Sequence, residues 1–569
     1  MKKRLALLLD LVMVLGLFAG CGSNETTATE ETPATETTTT TETTQTGAAE
    51  ETGEVNYLRL QCGFNDTLSA LKSISVAGYS TTWCMLASTL MKYDCDTNEY
   101  VPALAESVEI SEDGTVYTVT LGDNYFHDGT PITADDIVFT YNYHIFTGCA
   151  RVSYANSLVG FNEARNGEAE TVEGVQKVDD KTVTFTLTSA NNLFMMALAN
   201  ASFGVIPASY FEGMTWTEIE SYEDFWKKPI ASGAYYVAET HYPNYIVLKA
   251  FEDYYDPASV KDVVLTCYAD QSATDAAVRA GEIDWYFGTD LEDAESIMSA
   301  TDDYYMEMLD TSYQRWFWLN ISDTAGNGST HPSLGSARVR QAINMLLDKE
   351  AIAAFYGGTT TVLTGHIPTS NPNYNTDLPT WERNVEEAVK ILEEENFDFD
   401  TPIRIFSNYT DQDTADFLEL VKQQLAEGGV QVEYTIDGNW QEYLSTADYD
   451  FRYAGGQQAA AVNWYNFIAI SGQTDYTKGN YPMDDPEFVA YMTERYDDLI
   501  TAYKASQDAN EQKEILDQLQ FNAYEDMVTI PLYTLGEVSL FTNRFSMPVL
   551  TTDYYEMADW HFSTWTLSE

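Results

Sequence analysis

Apolar and polar residues alternate most clearly in residues 117–121, YTVTL, where threonines separate a tyrosine, a valine and a leucine. This period of two predicts a strand with one buried face. Residues 128–131, DGTP, follow and predict a tight turn. Thr133 then stands where a helix N-cap belongs, and Asp135 and Asp136 fall in the first turn, where the helix dipole favours negative charge. The pattern therefore predicts a strand, a turn and a capped helix in succession.

Two further segments show the periods of a hairpin and of a helix. Residues 175–189 predict a hairpin, because alternating strands flank the turn-prone pair Asp179-Asp180. Residues 336–358 predict one helix that begins at a Ser336 cap and ends at Gly357-Gly358. The residues of its buried stripe are Val339, Ala342, Ile343, Leu346 and Leu347.

The last third of the chain predicts a parallel strand pair. Residues 403–408 and 430–436 read as strands, and the helical pattern between them ends at Gly428-Gly429. Such a unit implies parallel pairing through a right-handed crossover. Nearer the C-terminus, residues 527–538 predict a short apolar strand. At the other end, residues 57–64 predict the first strand of the fold.

Residues 126–142, FHDGTPITADDIVFTYN, resemble the signature segment of a known family. The family is that of the extracellular solute-binding proteins of peptide-type ABC transporters, family 5, which includes oligopeptide-, dipeptide- and nickel-binding receptors. Residues 228–255, 277–285 and 336–352 resemble later segments of the same family, in the same order. At 232–234 this chain has Ser-Gly-Ala where the family usually has Thr-Gly-Pro. The resemblance covers nearly all of the chain beyond its first 55 residues.

The resemblance implies an α/β fold of the periplasmic-binding-protein type (type II, cluster C). In this fold two lobes close about a hinge, and a small additional lobe is inserted into the first. We expect lobe I at 56–93, 189–305 and 529–569, the inserted lobe II at 94–188, and lobe III at 306–528. The implied function is the capture of oligopeptides by hinge closure and their delivery to the permease subunits of an ABC importer, with no bond broken.

The net charge of the chain restricts its partners. The 569 residues carry a formal charge of -60, and residues 1–55 contribute nine acids and three bases, so the rest still carries -54. Such a charge repels nucleic acid and anionic lipid surfaces at long range. We therefore expect no nucleic-acid partner, and we expect the protein to act as a monomer with a solute as its ligand.

The N-terminal residues predict that the protein is located outside the cell. Residues 2–4 are basic, residues 5–19 are apolar apart from one aspartate, and residues 18–21 read Phe-Ala-Gly-Cys. This resembles a bacterial lipoprotein signal, which implies that Cys21 is lipidated and anchors the protein on the extracellular face of the cytoplasmic membrane. Residues 22–55 are rich in Thr and Glu and predict a disordered tether.

The sequence contains none of the common catalytic or metal motifs: no HExxH, GxSxG, P-loop or GxGxxG, and no metal spacing among six histidines. We expect no cofactor, no metal and no enzymatic activity. Glu282 and Asp284 form a carboxylate pair that is predicted to lie on one side of a strand entry, in a solvated or structural role and not a catalytic one. A secreted hydrolase with aromatic subsites is the alternative of another class, since 39 Tyr, 11 Trp and 26 Phe are present.

The five remaining cysteines have no regular spacing. They are Cys62, Cys84, Cys95, Cys149 and Cys267. An odd number without a CxxC pair is typical neither of a disulfide framework nor of a zinc site. We expect buried free cysteines, while one or two disulfide bridges stay open as an alternative.

Residues 450–465 bear most directly on the ligand. In the family's peptide receptors an aspartate in this region pairs with the peptide's α-ammonium, but here no carboxylate occurs between Asp450 and Asp475. Neutral amides beside aromatic rings also suit an oligosaccharide, so both ligand classes stay open. The candidate ligand-binding residues are Tyr79, Trp83, Trp440, Arg452, Gln457, Gln458, Asn463, Trp464, Tyr465 and Tyr533.

Overall fold

The computed structural model describes most of the chain beyond residue 55. The described residues are 56–62, 77–94, 97, 99–149, 151–289, 291–322, 330–356, 360–369, 371–441, 443, 448–456, 458, 460–473, 480–547 and 560–568. The predicted signal peptide, Cys21 and the predicted tether lie outside them. Within these ranges no helix has the length and apolar character needed to cross a bilayer.

Strands and helices are numbered here in chain order. The strands are β1 Leu58–Cys62, β2 Met91–Asp94, β3 Glu99–Pro102, β4 Ala105–Ile110, β5 Val116–Leu121, β6 Val175–Asp179, β7 Thr182–Thr186, β8 Tyr235–His241, β9 Tyr245–Ala250, β10 Asp262–Cys267, β11 Trp285–Thr289, β12 Tyr304–Leu319, β13 Thr360–Val362, β14 Ile403–Ser407, β15 Val432–Ile436, β16 Phe451–Gly456, β17 Thr529–Thr542, β18 Phe545–Ser546 and β19 Thr566–Leu567. The α-helices are α1 Ala77–Leu86, α2 Ala134–Thr147, α3 Phe161–Arg165, α4 Met195–Ala199, α5 Trp216–Glu220, α6 Glu223–Lys227, α7 Gln271–Arg279, α8 Leu291–Ala300, α9 Ala337–Leu346, α10 Lys349–Phe355, α11 Val385–Glu394, α12 Gln412–Glu427, α13 Asn463–Asn466, α14 Pro486–Met492, α15 Asp498–Ala505 and α16 Ala509–Asp526.

Most strands join one mixed sheet with the order β15-β14-β16-β12-β17-β11-β1-β10-β9-β8, and β13 pairs with β17 beside this path. β12 and β17 have 16 and 14 residues and pair with each other in antiparallel fashion along most of their length. The predicted short strand at 527–538 is therefore wrong in its extent. β17 continues to Thr542, because its second half pairs with both β11 and β12.

Three large hydrophobic cores lie within the described residues. The first is built from residues between Trp316 and Tyr533. The second combines β1, α1, the strands β8 to β10 and C-terminal residues, and the third lies between Leu90 and Val205. β12 and β17 contribute to the first core and continue into the second, where Phe541 is buried. These two strands therefore connect the cores, while the division of the chain into three lobes stays a prediction.

The strand, turn and helix predicted at the start of the third core are confirmed. Tyr117, Val119 and Leu121 are buried on β5, and the residues between them are half-buried. Thr133 is the N-cap of α2, and its amide and hydroxyl donate to Asp136 Oδ2 at 2.9 and 2.8 Å. The predicted hairpin is also confirmed: β6 and β7 pair in antiparallel fashion in the sheet β4-β5-β7-β6.

The predicted parallel unit is confirmed and the single helix before it is corrected. β14 and β15 pair in parallel on either side of α12, which ends at a Gly428 C-cap.

The helix predicted from Ser336 to Gly357-Gly358 is two helices, α9 and α10. Asp348 breaks the run because its side chain accepts from the Ala351 amide at 2.9 Å and so caps a new helix.

Glu282 and Asp284 do not lie on the same side, because they precede β11 and are not part of the strand. Glu282 is exposed, whereas Asp284 is fully buried. Asp284 accepts hydrogen bonds from the Arg59 amide and guanidinium and from the Thr542 hydroxyl, at 2.7 to 3.1 Å. This carboxylate therefore ties β1 to the end of β17, which confirms its predicted structural role.

The expectation of unbridged cysteines is wrong at Cys267, which is disulfide-bonded. Cys267 ends β10, and the parallel register of β1 and β10 places the Cα of Cys62 opposite it. About two hundred residues separate these positions in the chain, so their spacing carries no sign of this proximity. Cys149, in the third core, is buried as expected.

Candidate functional site

Three parallel strands of the first core end at one edge of the sheet, called the carboxyl edge here. β14 pairs in parallel with both β15 and β16, so the three strands run in the same direction. They end at Ser407, Ile436 and Gly456. In α/β sheets, ligands bind in the crevice outside the carboxyl ends of such strands. The predicted ligand residues Trp440 and Gln458 lie on the chain that leaves β15 and β16.

A cation among tyrosines lies at the carboxyl edge. Arg315 of β12 lies opposite Gly455, next to the end of β16. Its guanidinium carbon lies 3.9 Å from the ring centre of Tyr409, and 5.2 and 5.6 Å from those of Tyr313 and Tyr453. A Cβ atom at Gly455 would collide with this guanidinium, so the close approach of the arginine depends on the glycine.

The guanidinium of Arg315 is not neutralised by the groups around it. Among the described residues no carboxylate forms an ion pair with Arg315, and its Nη1 atom is buried without a hydrogen-bond partner. The side chain as a whole is partly exposed. A cation that has lost water without gaining a counter-charge raises the free energy of the folded protein. The arrangement thus leaves a positive charge at the edge where a ligand would enter.

The tyrosines behind Arg315 stay uncharged. Tyr453 and Tyr533 are hydrogen-bonded through their hydroxyls, and the ring of Tyr356 lies 4.8 Å from that of Tyr533. Burial raises the pKa of both Tyr453 and Tyr533 well above the usual tyrosine value. These rings can attract a cation through their faces, but they do not supply a negative charge to it.

The carboxylate of Asp450, which precedes β16 and so lies at the opposite, amino end of the parallel strands, is already engaged. Asp450 is fully buried and accepts from the His331 amide at 2.6 Å and from the Arg404 amide at 2.8 Å. The Arg404 guanidinium donates to it as well, at 3.2 Å through Nε. All of these donors belong to the framework of the first core. Asp450 therefore holds β14 and β16 together and has no orientation left for a ligand ammonium.

A second group of polar residues lies on the opposite face of β12. Gln314 Nε2 donates to the His366 carbonyl at 2.6 Å, and His366 Nε2 lies 2.7 Å from the Thr529 hydroxyl. The ring of Trp464 stacks on His366 with centroids 5.3 Å apart. Burial lowers the pKa of His366 to about 3, so this imidazole is neutral at neutral pH. These contacts fix β12 and β17 against the first core.

Four of the aromatic and amide candidates from the sequence are placed in cores. Trp83, Trp464, Tyr465 and Tyr533 are all buried. Trp83 donates from Nε1 to the Ala201 carbonyl at 3.0 Å, in the second core. Their packing accounts for these residues structurally, and a ligand-binding role for them stays a prediction.

The other candidates are more dispersed. Trp440 is partly buried against Phe406 and Tyr449, and Asn463 begins α13. Arg452 is buried on β16, opposite Trp318, with its Nε atom unpaired. Gln458 is partly buried; Gln457 and the side chain of Tyr79 lie outside the described part of the chain.

Two features of the sequence indicate Arg315 and Tyr409 as candidate site residues. In residues 312–320 a period of two places Arg315 on the same face as Phe317 and Leu319, which are fully buried. An arginine on an apolar strand face is rare unless it is paired or functional. Tyr409 directly follows the strand predicted at 403–408. Neither feature of the sequence shows which strands are neighbours in the sheet. It is the pairing of the strands that brings the side chains of Arg315 and Tyr409 together.

The third core contacts the first directly. Asn192 Nδ2 donates to the carbonyls of Tyr503 and Ser506, at 2.7 and 3.1 Å, where α15 ends. Leu193 and Ala460 pack against both cores. The strands β4 to β7 of the third core form a sheet of their own, separate from the large sheet that contains β12 and β17, so these contacts must break if the first core swings away from the third.

An α/β chain whose cores are linked by two long strands, with a site at the carboxyl edge beside them, defines a two-lobe solute-binding protein. The family model for bacterial extracellular solute-binding proteins, family 5, matches residues 99–523, and the chain belongs to this family. The predicted resemblance is confirmed by this match.

Curated relatives match over most of the chain. The dipeptide-binding protein of Escherichia coli (strain K12) is 25% identical over 488 residues, which is 80% of this chain and 84% of the relative. The oligopeptide-binding protein AppA of Bacillus subtilis (strain 168) is 26% identical over 481 residues, 79% of this chain and 80% of the relative. These relatives are substrate-binding proteins and not enzymes, in agreement with the sequence prediction.

Solved structures confirm the predicted fold class. The ABC transporter substrate-binding protein CtaP of Listeria monocytogenes matches with a TM-score of 0.70 at 23% identity, covering 90% of this chain and 99% of that chain. The murein tripeptide binding protein MppA, in an unliganded open form, matches with a TM-score of 0.75 at 16% identity, covering 90% of this chain and 97% of that chain. The protein therefore has the mixed α/β two-lobe fold of these receptors.

Proposed function

We propose that the protein captures oligopeptides outside the cell and delivers them to the permease of an ABC importer. The observation that carries this proposal is the pair β12 and β17, which runs from the first core into the second past the carboxyl edge. A ligand that contacts both sides of such a crossing favours the closed arrangement by its differential affinity. The relatives named for dipeptides and oligopeptides support a peptide as the ligand class.

The proposal includes three lobes with the boundaries expected from the sequence. The second core corresponds to lobe I, the third to the inserted lobe II and the first to lobe III. Val205 lies beyond the predicted end of lobe II and packs in the third core, and Tyr533 lies beyond the predicted end of lobe III and packs in the first. Each core therefore extends past the predicted boundary of its lobe. A monomer suffices for this mechanism, because both sides of the crossing belong to one chain.

An oligosaccharide is the second candidate ligand, and the segment after β16 favours it. The described residues from 458 to 473 are free of carboxylates, and Gln458 and Asn463 are among them. Neutral amides and aromatic faces can bind hydroxyl groups without an ion pair. The candidate therefore differs from the first only in the ligand, while the fold and the transport role stay the same.

A thermal-shift screen against mixed short peptides and against neutral oligosaccharides separates the two candidates. A ligand at a hundred times its Kd stabilises the folded state by about 2.7 kcal/mol. We expect a clear rise of the melting temperature with peptides, and we expect Tyr409→Ala to abolish it because Tyr409 lies at the carboxyl edge. Tyr245→Ala, at an exposed strand position, is the control and should keep the response. A rise with oligosaccharides alone would overturn the peptide proposal.

We also propose that the protein is anchored on the outer face of the cytoplasmic membrane through lipidated Cys21 and the tether 22–55. The support is the sequence of the first 21 residues, which combines a basic start, an apolar run and a terminal Cys. Cys21→Ser is expected to move the protein from the membrane fraction to the medium, as measured by fractionation of cells. Retention of this variant in the membrane fraction would contradict a lipid anchor.

A further inference from the structure

The third core is joined to the second core by buried hydrogen bonds. Ser232, which is fully buried, donates from Oγ to the Val205 carbonyl at 2.9 Å. The His127 amide donates to the Ala231 carbonyl at 3.0 Å, and the Ala231 amide donates back to His127 Nδ1 at 3.2 Å. Ile230 packs against both cores. Because separation would leave these buried groups unpaired, the second and third cores move together when the first core swings.

The contact between the third core and the first core is built around one amide. Asn192 Nδ2 donates to the carbonyls of Tyr503 and Ser506, at 2.7 and 3.1 Å. Leu193, the next residue, packs against both cores. One side chain thus supplies two hydrogen bonds between parts of the chain that separate when the protein opens.

Asn192 binds the end of a helix that belongs to the first core. Tyr503 lies in the last turn of α15, and Ser506 directly follows the helix. The last carbonyls of a helix have no partner within the helix, and the helix dipole makes this end negative, so N–H donors are favourable there. Opening therefore takes away a donor that α15 does not supply itself.

The oxygen of the same amide opposes this gain. Asn192 Oδ1 is buried without a hydrogen-bond partner while Nδ2 makes its two bonds. When the first core swings away, the whole amide is open to water, so Oδ1 gains a hydrogen bond while Nδ2 loses its two protein acceptors. The two effects have opposite signs. The contact is therefore stable enough to form and weak enough to break reversibly.

The third core also contacts the segment that follows β16. Ala460 packs against the first and third cores, and it lies between Gln458 and Asn463, two of the candidate ligand residues. Burial raises the pKa of Tyr100 on β3, and Tyr503 is one of the tyrosines that act on it, so β3 and α15 approach one another as well. The contact of Asn192 thus lies close to the segment that borders the candidate site.

We propose that Asn192 is a positioning residue for ligand capture, because its bonds to the end of α15 hold the first core against the third with and without ligand. This contact is called the latch here. The inference rests on the proposed capture by hinge closure and gives the third core, the inserted lobe of that proposal, a part in it. Asn192 acts through the position of the first core and needs no contact with the ligand. Its loss favours the open arrangement in the free and in the bound protein.

Spin labels at positions 178 and 390, introduced as unnatural amino acids, test the latch without any ligand. Val178 is exposed on β6 of the third core, and Lys390 is exposed on α11 of the first core. Asn192→Asp keeps the shape of the side chain and removes the donor. We expect it to lower the ratio of latched to open molecules at least about fivefold, as for the loss of two hydrogen bonds, and to add a population displaced by more than about 2 Å. Asn162→Asp adds the same charge at an exposed position of α3 and should leave the distances unchanged.

Two further variants show whether the amide donor is responsible. Asn192→Gln retains the donor and should restore part of the latched population. Asn192→Ala brings no charge to the contact and should lose the latched population as Asn192→Asp does. A residue that only stabilised the fold would lower the melting temperature without changing the distances in the molecules that stay folded. Distance distributions of Asn192→Ala and Asn192→Asp that match the wild type would overturn the proposal.

The kinetics of trialanine binding, measured by stopped-flow tryptophan fluorescence, separate the latch from the proposed function. We expect Asn192→Asp to speed up dissociation at least about fivefold and to raise Kd by a smaller factor, because loss of the latch also opens the free site and speeds up entry. An unchanged dissociation rate would overturn the latch. If trialanine does not bind to the wild type while the ligand-free distances respond to Asn192→Asp, the latch stands and peptide capture fails.

Discussion

Replacing Asp450 with alanine is expected to lower the free energy of unfolding by about 3–5 kcal/mol, the usual cost of removing one partner of a buried ion pair. The carboxylate is fully buried and accepts from the amides of His331 and Arg404 as well as from the Arg404 guanidinium. Its loss leaves the amides of His331 and Arg404 without an acceptor and the Arg404 guanidinium with only its exposed partner Asp448, and it removes the link between β14 and β16. Equilibrium unfolding in urea, monitored by tryptophan fluorescence, measures the change.

Asp448 offers a matched control for this variant. It pairs with the same Arg404, but its side chain is 55% exposed, against 0% for Asp450. Solvent-exposed ion pairs contribute at most about 1 kcal/mol, so Asp448→Ala should stay close to the wild type. If Asp450→Ala were as stable as Asp448→Ala but lost peptide binding, Asp450 would be a ligand residue and its structural assignment would be wrong.

Local structure followed from local sequence. The alternation of Tyr117, Val119 and Leu121 fixed β5, and the cap at Thr133 fixed the start of α2. Both depend on a few adjacent residues, whose side-chain period and hydrogen-bonding groups are visible in the chain. The family resemblance predicted the order of the lobes, which no local period contains and which stays a prediction.

Features that depend on distant pairing were missed. The length of β17 reflects partners in β11 and β12, and the disulfide-bonded Cys267 lies at the end of β10, whose pairing with the distant β1 no local pattern shows. The break before α10 is a local feature, but the apolar stripe continued across it and hid the cap at Asp348. The period of the apolar residues shows which face of a helix or strand is buried. It does not show which other helix or strand packs against that face.

The candidate site shows the same limit. The sequence indicated the segment after β16 and the missing ammonium partner, and the structure places that segment at the carboxyl edge. The sequence predictions did not include Arg315, which becomes notable only when Tyr409 and Gly455 are found around it. The composition of a segment shows that it contains no carboxylate. It does not show that an arginine elsewhere in the chain has no carboxylate to pair with.

The geometry of β12 and β17 supports closure of the protein about a hinge. Their pairing shifts in register between Asp310 and Gln314, and again between Arg315 and Trp316. Such irregularities interrupt the hydrogen-bond ladder and let a strand bend or twist locally. The shifts lie beside Arg315, so a ligand bound at the carboxyl edge lies next to the segment that must bend. The contact of Asn192 with the end of α15 lies between the parts that would separate.

The most direct test of this claim is the distance between spin labels at positions 249 and 390, introduced as unnatural amino acids. Lys249 lies on β9 of the second core, Lys390 lies on α11 of the first core, and both side chains are exposed. We expect a peptide that stabilises the protein in the thermal-shift screen to change this distance by more than about 2 Å and to narrow its distribution, as domain closure does. Saturating peptide binding with an unchanged distance distribution would contradict hinge closure.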